Sequence, residues 1–422
     1  MLETLKSSLK AGDLRKKVMF TLLMFIVFRI GAHIPVPGIN AQAMEALIKG
    51  GGNILGFFDV ISGGAFKRFS IFAMSITPYI NASIIMQLLT VVIPKLERLS
   101  KEGEEGRKKI TQYVRYGTVV LGFIQALGMA FTLRAMNALT TPNFGSYVVI
   151  SVTLTAGTAF LMWLGEQITE KGIGNGISLI IFAGIVASIP GALYRIGTGV
   201  QAGTINIFSV IVLILIALIV IAAVVAVNEG QRRIPVQYAK RVVGRRVYGG
   251  QSTHIPLKVN QAGVIPVIFA SSILLFPSTI ANFFQGKPIA DWILGVFRWG
   301  GPTHTVLYAL FIIFFTYFYT AITFNPMDVA DNMKKYGGFI PGLRPGRPTA
   351  EYLDKILTRV TLSGAVFLAL IAILPTFILL TTNIQNVYFG GTGLLIVVGV
   401  ALETMKQIES HLLMRHYQGF MK

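Results

Sequence analysis

The sequence predicts an all-α polytopic membrane protein with ten transmembrane helices, and three observations support this prediction. The 422 residues are 53% hydrophobic and only 13% charged, with a mean hydropathy of +0.67. Apolar runs long enough to cross a bilayer recur along the chain, and basic loops separate them. A chain of this composition cannot bury its apolar side chains around one water-facing core, so a membrane must cover much of that surface.

The strongest apolar run, INIFSVIVLILIALIVIAAVVAV at 205–227, carries no charge. As a helix it extends about 34 Å at ~1.5 Å per residue, which is enough to span the hydrocarbon core. The ten predicted spans lie near residues 18–36, 71–93, 114–133, 147–168, 177–194, 205–227, 262–283, 305–324, 357–380 and 391–412. Four of them, beginning near 71, 147, 177 and 391, contain polar residues and glycine, which favours buried or pore-lining faces. The first run has no A-x-A-like cleavage site, so we expect it to remain as an anchor.

The positions of Lys and Arg predict the orientation of the chain. Of the 37 basic residues, 29 lie in residues 1–17, 94–116, 165–176, 228–260, 325–359 and 403–422. Because loops rich in Lys and Arg stay in the cytoplasm, we expect both termini and the two large loops at 228–260 and 325–359 to be cytoplasmic. An even number of spans agrees with this.

The net charge of +19 is therefore concentrated in cytoplasmic loops. Orientation and attraction to anionic lipid explain part of it. The two large loops are longer than orientation requires, which favours the docking of a large anionic partner. RNA phosphates or an acidic protein surface would both fit.

Four segments closely resemble the bacterial SecY family, whose members are channel subunits of the Sec protein-translocation machinery. The segments are GIGNGIS at 172–178, NEGQRRIPVQYAKR at 228–241, IPLKVNQAGVIPVIFASSILLFP at 255–277 and GGFIPGLRPGRPT at 337–349. The resemblance covers almost the whole chain. It implies two pseudo-symmetric inverted halves of five helices around a central pore, at residues 1–195 and 196–422. It also implies a channel in the bacterial plasma membrane that translocates unfolded secretory polypeptides and releases membrane-protein helices laterally.

The stretch GFFDVISGGAFKRFS at 56–70 is too short to span a bilayer and too apolar for an ordinary loop. A short, glycine-broken helix of this kind enters membrane depth only where protein or water covers it. An interfacial amphipathic segment, with its phenylalanines among the headgroups and Lys67 and Arg68 in water, is the alternative. The resemblance implies a plug at about 55–69, which we call the plug segment. Its expected members are Phe57, Phe58, Val60, Ile61, Gly63, Gly64 and Phe66.

A closed pore requires a narrow apolar constriction, because a ring of branched aliphatic side chains excludes water and ions yet can part for a passing chain. The resemblance implies that the ring consists of Ile76, Ile80, Ile177, Ile181, Ile268 and Ile396. The first two pairs are each four residues apart, so each pair shares one helical face. From spacing alone, core or lipid contacts are the usual explanation of such isoleucines.

Lateral release requires a seam between helices that can open. Uncharged polar side chains at membrane depth form weak interhelical hydrogen bonds, of ~0.6 kcal/mol on average. The resemblance implies a lateral gate between spans two and three on one side and spans seven and eight on the other. Its expected members are Asn81, Gln87, Gln125 and Phe276.

The resemblance also implies the partners. These are small SecE-like and SecG-like membrane subunits, the SecA ATPase motor, the ribosome, signal sequences with their nascent chains, and anionic lipid. The expected contact residues in the cytoplasmic loops are Arg232, Arg233, Lys240, Arg241, Arg245, Arg246, Arg344 and Arg347.

The sequence predicts no enzyme, no catalytic residue, no metal site and no cofactor. It lacks GxxxxGK[ST], HExxH, GxSxG and any cysteine. Energy for transport must then come from a nucleotide-driven motor, the ribosome or the membrane potential. A secondary transporter for a small solute is the main alternative, but such transporters place ionisable residues at the midplane. Arg29 is the main candidate of this kind, and because it lies near the end of the first span we expect it to snorkel. A membrane scaffold for ribosomes is a third possibility, which leaves the plug segment and the polar spans unexplained.

Overall fold

The computed structural model describes residues 12–40, 59, 62–135, 138–141, 143–238, 241–243, 246–248, 252–282, 284, 287–297, 301–382 and 391–419. Within these residues there are thirteen helices. They are α1 Gly12–Gly31, α2 Thr77–Val92, α3 Pro94–Lys101, α4 Glu104–Ala135, α5 Phe144–Lys171, α6 Gly176–Gln201, α7 Ile207–Glu229, α8 Ile265–Asn282, α9 Pro288–Val296, α10 Pro302–Thr323, α11 Pro326–Lys335, α12 Arg347–Thr382 and α13 Gly391–Gly419.

Each of the ten predicted spans falls on a helix, namely α1, α2, α4, α5, α6, α7, α8, α10, α12 and α13. By length and apolar content alone, six helices of the described chain could cross a membrane, or seven if α2 and α3 count as one span bent by 101°. The apolar part of α8, Ile265–Ser278, is shorter, and α1 and α13 carry charged residues near one end. The fold is an all-α polytopic membrane protein.

Local sequence fixes several helix starts. Asn175 caps α6, because its side-chain oxygen accepts from the backbone N–H groups of Ile177 and Ser178. GIGNGIS therefore forms a tight turn between spans four and five. Asn206 and Asn325 cap α7 and α11 in the same way. Proline in the first turn begins α2, α10 and α11, where its missing N–H is no loss.

The helices pack as two groups that meet along two contacts. In the first group α4 packs on α2 and α5, and α5 on α6; in the second, α10 packs on α8 and α12, and α13 on α7 and α12. The groups meet where α8 lies against α2 and α4, which we call the lateral seam, and where α13 lies against α6. The largest cluster of buried apolar side chains extends across both contacts.

The two large basic loops form one structural unit. The strands are β1 Gln231–Tyr238, β2 Arg241–Val243, β3 Arg246–Tyr248, β4 Ser252–Lys258 and β5 Gly338–Phe339. They form an antiparallel sheet in the order β4-β1-β5 and a β2–β3 hairpin. In β1, Ile234 and Val236 point inward between exposed neighbours and pack with residues such as Leu257, Ile340 and Leu353. Because β5 comes from the second loop, the two loops are joined by backbone pairing.

Candidate functional site

A cavity of about 380 Å³ lies between helices of both groups, at the end of the molecule that carries the basic loops. We call it the vestibule. Its wall is contributed by α2, α4, α5, α6, α8 and α10 together with the turn before α6. The lining residues are Tyr79, Ile80, Ser83, Gln87, Thr111, Arg115, Glu166, Thr169, Glu170, Asn175, Ile177, Ser178, Ile181, Ile265, Ile268, Phe269 and Tyr319.

A second, smaller cavity of about 20 Å³ lies next to the vestibule. Its lining residues are Thr77, Ile80, Ile181, Val267, Ile268, Ser271, Ser272, Leu275, Tyr308, Thr392 and Ile396. Ile80, Ile181 and Ile268 line both cavities. These three side chains, from α2, α6 and α8, therefore form a partition between the two spaces.

The structure brings all six isoleucines of the predicted ring into one region. Ile177 lines only the vestibule and Ile396 only the smaller cavity. Ile76, the N-cap residue of α2, is fully buried in the same apolar cluster. The backbone N–H of Ile80 donates to the carbonyl of Ile76 over 3.1 Å, so the two lie one helical turn apart. Such an aliphatic partition excludes water and ions while it stays closed.

The residues predicted for the lateral gate lie on the helices of the lateral seam. Asn81 is buried on α2 and Gln125 is half-buried on α4, while Phe276 on α8 is 39% exposed. Gln87 lines the vestibule, and within the described chain its buried Oε1 has no hydrogen-bond partner.

The plug segment is described only in part. Phe57, Phe58, Val60 and Ile61 lie outside the described residues, and Asp59 is helical. Residues 62–69 form consecutive turns, in which Gly63 and Gly64 have φ angles of +67° and +85° that favour glycine. Phe66 is buried in an apolar cluster with α4 and α5. The segment thus folds back into the helix bundle.

Arg29, which we expect to snorkel, also forms a contact within the protein. Its Nη1 donates a hydrogen bond of 2.7 Å to the backbone carbonyl of Gly63 in the plug segment. The sequence did not indicate this contact, because the two residues are 34 positions apart and the acceptor is a backbone atom.

The predicted partner-binding arginines of the basic loops are exposed where they are described. Arg232 and Arg233 lie on β1. Arg344 lies between β5 and α12, and Arg347 is the first residue of α12. Arg347 pairs with Glu351 over 3.1 Å. The Thr349 hydroxyl donates a hydrogen bond of 2.8 Å to the backbone carbonyl of Arg344, which stabilises the turn. Lys240 and Arg245 lie outside the described residues, as do the side chains of Arg241 and Arg246.

An ion pair in the vestibule was missed by sequence reasoning. Arg115 on α4 donates from Nε to Glu166 on α5 over 2.8 Å, and Glu170 lines the same cavity. The available signal was the single acidic residue in the apolar run LMWLGEQIT of the predicted fourth span. In the part of the chain that the structure describes, no three His, Asp or Glu side chains come together as metal ligands.

Comparisons with known proteins agree with this architecture. The SecY family model matches residues 70–405. The protein translocase subunit SecY of Halalkalibacterium halodurans is 54% identical over 432 residues, covering 100% of both chains. That of Escherichia coli is 50% identical over 422 residues, covering 97% of this chain and 94% of the relative.

Solved structures share the fold at lower identity. A protein-conducting channel matches with a TM-score of 0.65 and 20% identity over 94% of this chain and 92% of the other. The channel in a canine ribosome-channel complex from the endoplasmic reticulum matches with a TM-score of 0.62 and 19% identity over the same shares. Because the full-length relatives and the family model agree, the chain belongs to the SecY family.

Proposed function

We propose that this protein is a protein-conducting channel that translocates unfolded secretory polypeptides across the plasma membrane and releases membrane-protein helices into it sideways. The partition of Ile80, Ile181 and Ile268 between two cavities is the observation that carries the proposal. It lies where three helices from both groups meet, so separation of the groups would open a path through it. The partition is uncharged, and an unfolded chain of any sequence could pass it.

Lateral release uses the lateral seam. There α8 contacts both α2 and α4, and the polar residues Asn81 and Gln87 lie on the α2 side. Because polar contacts of this kind are weak, little free energy is needed to open the lateral seam for an apolar helix that moves into the lipid. The plug segment covers the partition on the side opposite to the vestibule in the resting channel.

The chain performs no chemistry itself, and its partners supply the energy. The described parts of the basic loops form one exposed platform that bears Arg232, Arg233, Arg344 and Arg347. In the proposed orientation, which rests on the distribution of Lys and Arg, this platform and both termini are cytoplasmic. That platform fits a SecA-like motor or the RNA phosphates of a ribosome. The solved ribosome-channel complex supports the second partner. SecE-like and SecG-like subunits and anionic lipid complete the assembly.

The direct test is reconstitution of the protein in liposomes with a SecE-like subunit and the motor. A secretory precursor is added with ATP, and its protection from external protease is followed. The expected result is ATP-dependent protection that requires the signal sequence. A precursor with a deleted signal sequence is the matched control. Absence of protection, with every component shown to be inserted and the motor active, would contradict the proposal.

A secondary transporter would behave differently in the same vesicles. It would take up a small solute down an ion gradient without protecting any precursor. The Arg115–Glu166 pair is the kind of ionisable group such a transporter uses, but it lies in the vestibule and its two side chains are 46% and 16% exposed. The full-length relatives are translocase subunits.

A further inference from the structure

The interaction between Arg29 and the plug segment is not explained by the fold alone. A charged side chain in an apolar helix is costly unless it finds a partner. Arg29 is within reach of water near the end of α1, yet its guanidinium donates to the carbonyl of Gly63 over 2.7 Å. Charge-assisted hydrogen bonds are roughly twice as strong as neutral ones. The contact therefore fixes the backbone of the plug segment to α1.

Gly63 is also pressed against α6. A Cβ atom added to Gly63 would lie 3.0 Å from Gly184 Cα and 3.3 Å from its carbonyl oxygen. Gly184 comes three residues after Ile181, so it lies on the same side of α6, about one turn further along. Two glycines thus allow the plug segment to rest directly beyond the partition.

The described residues of the plug segment are held together by further hydrogen bonds. The backbone N–H of Lys67 donates to Asp59 Oδ1 over 2.7 Å, and that of Phe66 to Ser62 Oγ over 3.0 Å. Phe66 and Phe69 are each 1% exposed and pack with Leu154 of α5 and other residues of α4 and α5. Helices α4, α5 and α6 belong to the first group, and α1 packs on α5 and α6 of that group.

We propose that Arg29 is a positioning residue that latches the plug segment over the closed partition. This inference rests on the proposed function, since a latch has meaning only in a channel. In this latch, Arg29 forms a hydrogen bond to the backbone carbonyl of Gly63, next to the contact between Gly63 and Gly184. Opening must break this bond, so Arg29 sets how often the resting channel opens without a substrate.

The test compares Arg29→Gln with Arg134→Gln. Arg134 is an exposed arginine in the last turn of α4 and serves as the matched control. Each variant is reconstituted with the SecE-like subunit, and resting ion conductance is recorded without motor or precursor. Arg29→Gln is expected to raise the conductance about tenfold, the order expected for loss of one charge-assisted hydrogen bond. Arg134→Gln is expected to leave it unchanged.

A translocation assay distinguishes an error in the role proposed for Arg29 from an error in the proposed channel function. In one outcome the wild type protects a precursor, and Arg29→Gln inserts, translocates and shows the resting conductance of the wild type. The role proposed for Arg29 is then contradicted, and the proposed channel function is not. If the wild type protects no precursor, the proposed function fails whatever the conductance.

If Arg29→Gln does not insert into the membrane, a second pair of variants tests the proposed latch. Gly63→Ala and Gly64→Ala share the strain of a positive φ, but only Gly63 has atoms within 4 Å of the added Cβ. The latch predicts a higher resting conductance for Gly63→Ala than for Gly64→Ala. Equal conductance in this pair would overturn it.

Discussion

Gln407 on α13 accepts a hydrogen bond of 2.8 Å from the backbone N–H of Gly174, which lies in the turn between α5 and α6. The neighbouring N–H of Ile173 donates to Thr21 on α1 over 3.1 Å. The side chains of Ile173, Leu14 and Ile408 form a small apolar cluster around these bonds. The turn therefore ties the two groups of helices together at a contact separate from the lateral seam.

Replacement of Gln407 by Leu should weaken this tie. The substitution removes the acceptor and leaves the part-buried N–H of Gly174 unpaired, which costs about 1 kcal/mol of unfolding free energy. The measurement is the melting temperature of the purified protein in detergent, which should fall. Gln407→Glu keeps an acceptor oxygen and should melt near the wild-type temperature. A Leu variant as stable as the wild type would show that the bond does not hold the groups together.

A polar side chain in the partition should make the resting channel leak. Ile181→Ser removes buried apolar surface and lowers the cost of wetting the partition by about 2 kcal/mol, so the conductance should rise more than about tenfold. Resting conductance in planar bilayers measures this. Ile214→Ser, at a 53% exposed position on α7, is the matched control and should not leak. The pore assignment would be lost if both variants conducted equally.

Replacement of the polar amide of Gln87 by an apolar side chain should stabilise the closed lateral seam. Gln87 lies on α2 and lines the vestibule, and the added apolar contact of Gln87→Leu is worth about 1 kcal/mol. We expect a higher melting temperature and slower lateral release of a weakly apolar helix, followed by crosslinking to lipid. Gln112→Leu, whose exposed amide donates to Tyr116, should change neither quantity. An unchanged release rate for Gln87→Leu would contradict the seam assignment.

Reversal of the charge at Arg344 should impair translocation while membrane insertion remains intact. Arg344 is exposed in a turn held by Thr349, so the substitution disturbs a surface and not a core. Loss of one charged contact should reduce partner affinity about tenfold. Precursor protection against motor concentration measures the effect of Arg344→Glu. Arg344→Lys keeps the charge and should retain more activity. Full activity of the Glu variant would remove the proposed role.

The sequence predicted the ten spans because an apolar run of about 20 residues is a strong signal. The run at 205–227 became α7. Spacing alone did not separate isoleucines that line the cavities from isoleucines of the core. Ile80 and Ile76 lie one turn apart, yet Ile80 lines both cavities and Ile76 is fully buried in the core. The difference depends on which neighbouring helices face each side chain.

Contacts between distant segments were beyond the reach of the sequence. Arg29 reaches a backbone carbonyl in the plug segment, and Arg115 reaches Glu166 across 51 positions. Neither pair has a local pattern. The pairing of β1 with β5 was missed for the same reason, since β5 has only two residues.

That pairing has a mechanical consequence. β1 follows α7 directly, β4 leads into α8, and β5 lies between α11 and α12. A partner that pushes on either basic loop therefore applies its load to α7, α8 and α12 together, through a sheet that resists bending. The force therefore reaches the second group of helices first, and it passes to the first group across the lateral seam and through the tie at Gly174 and Gln407.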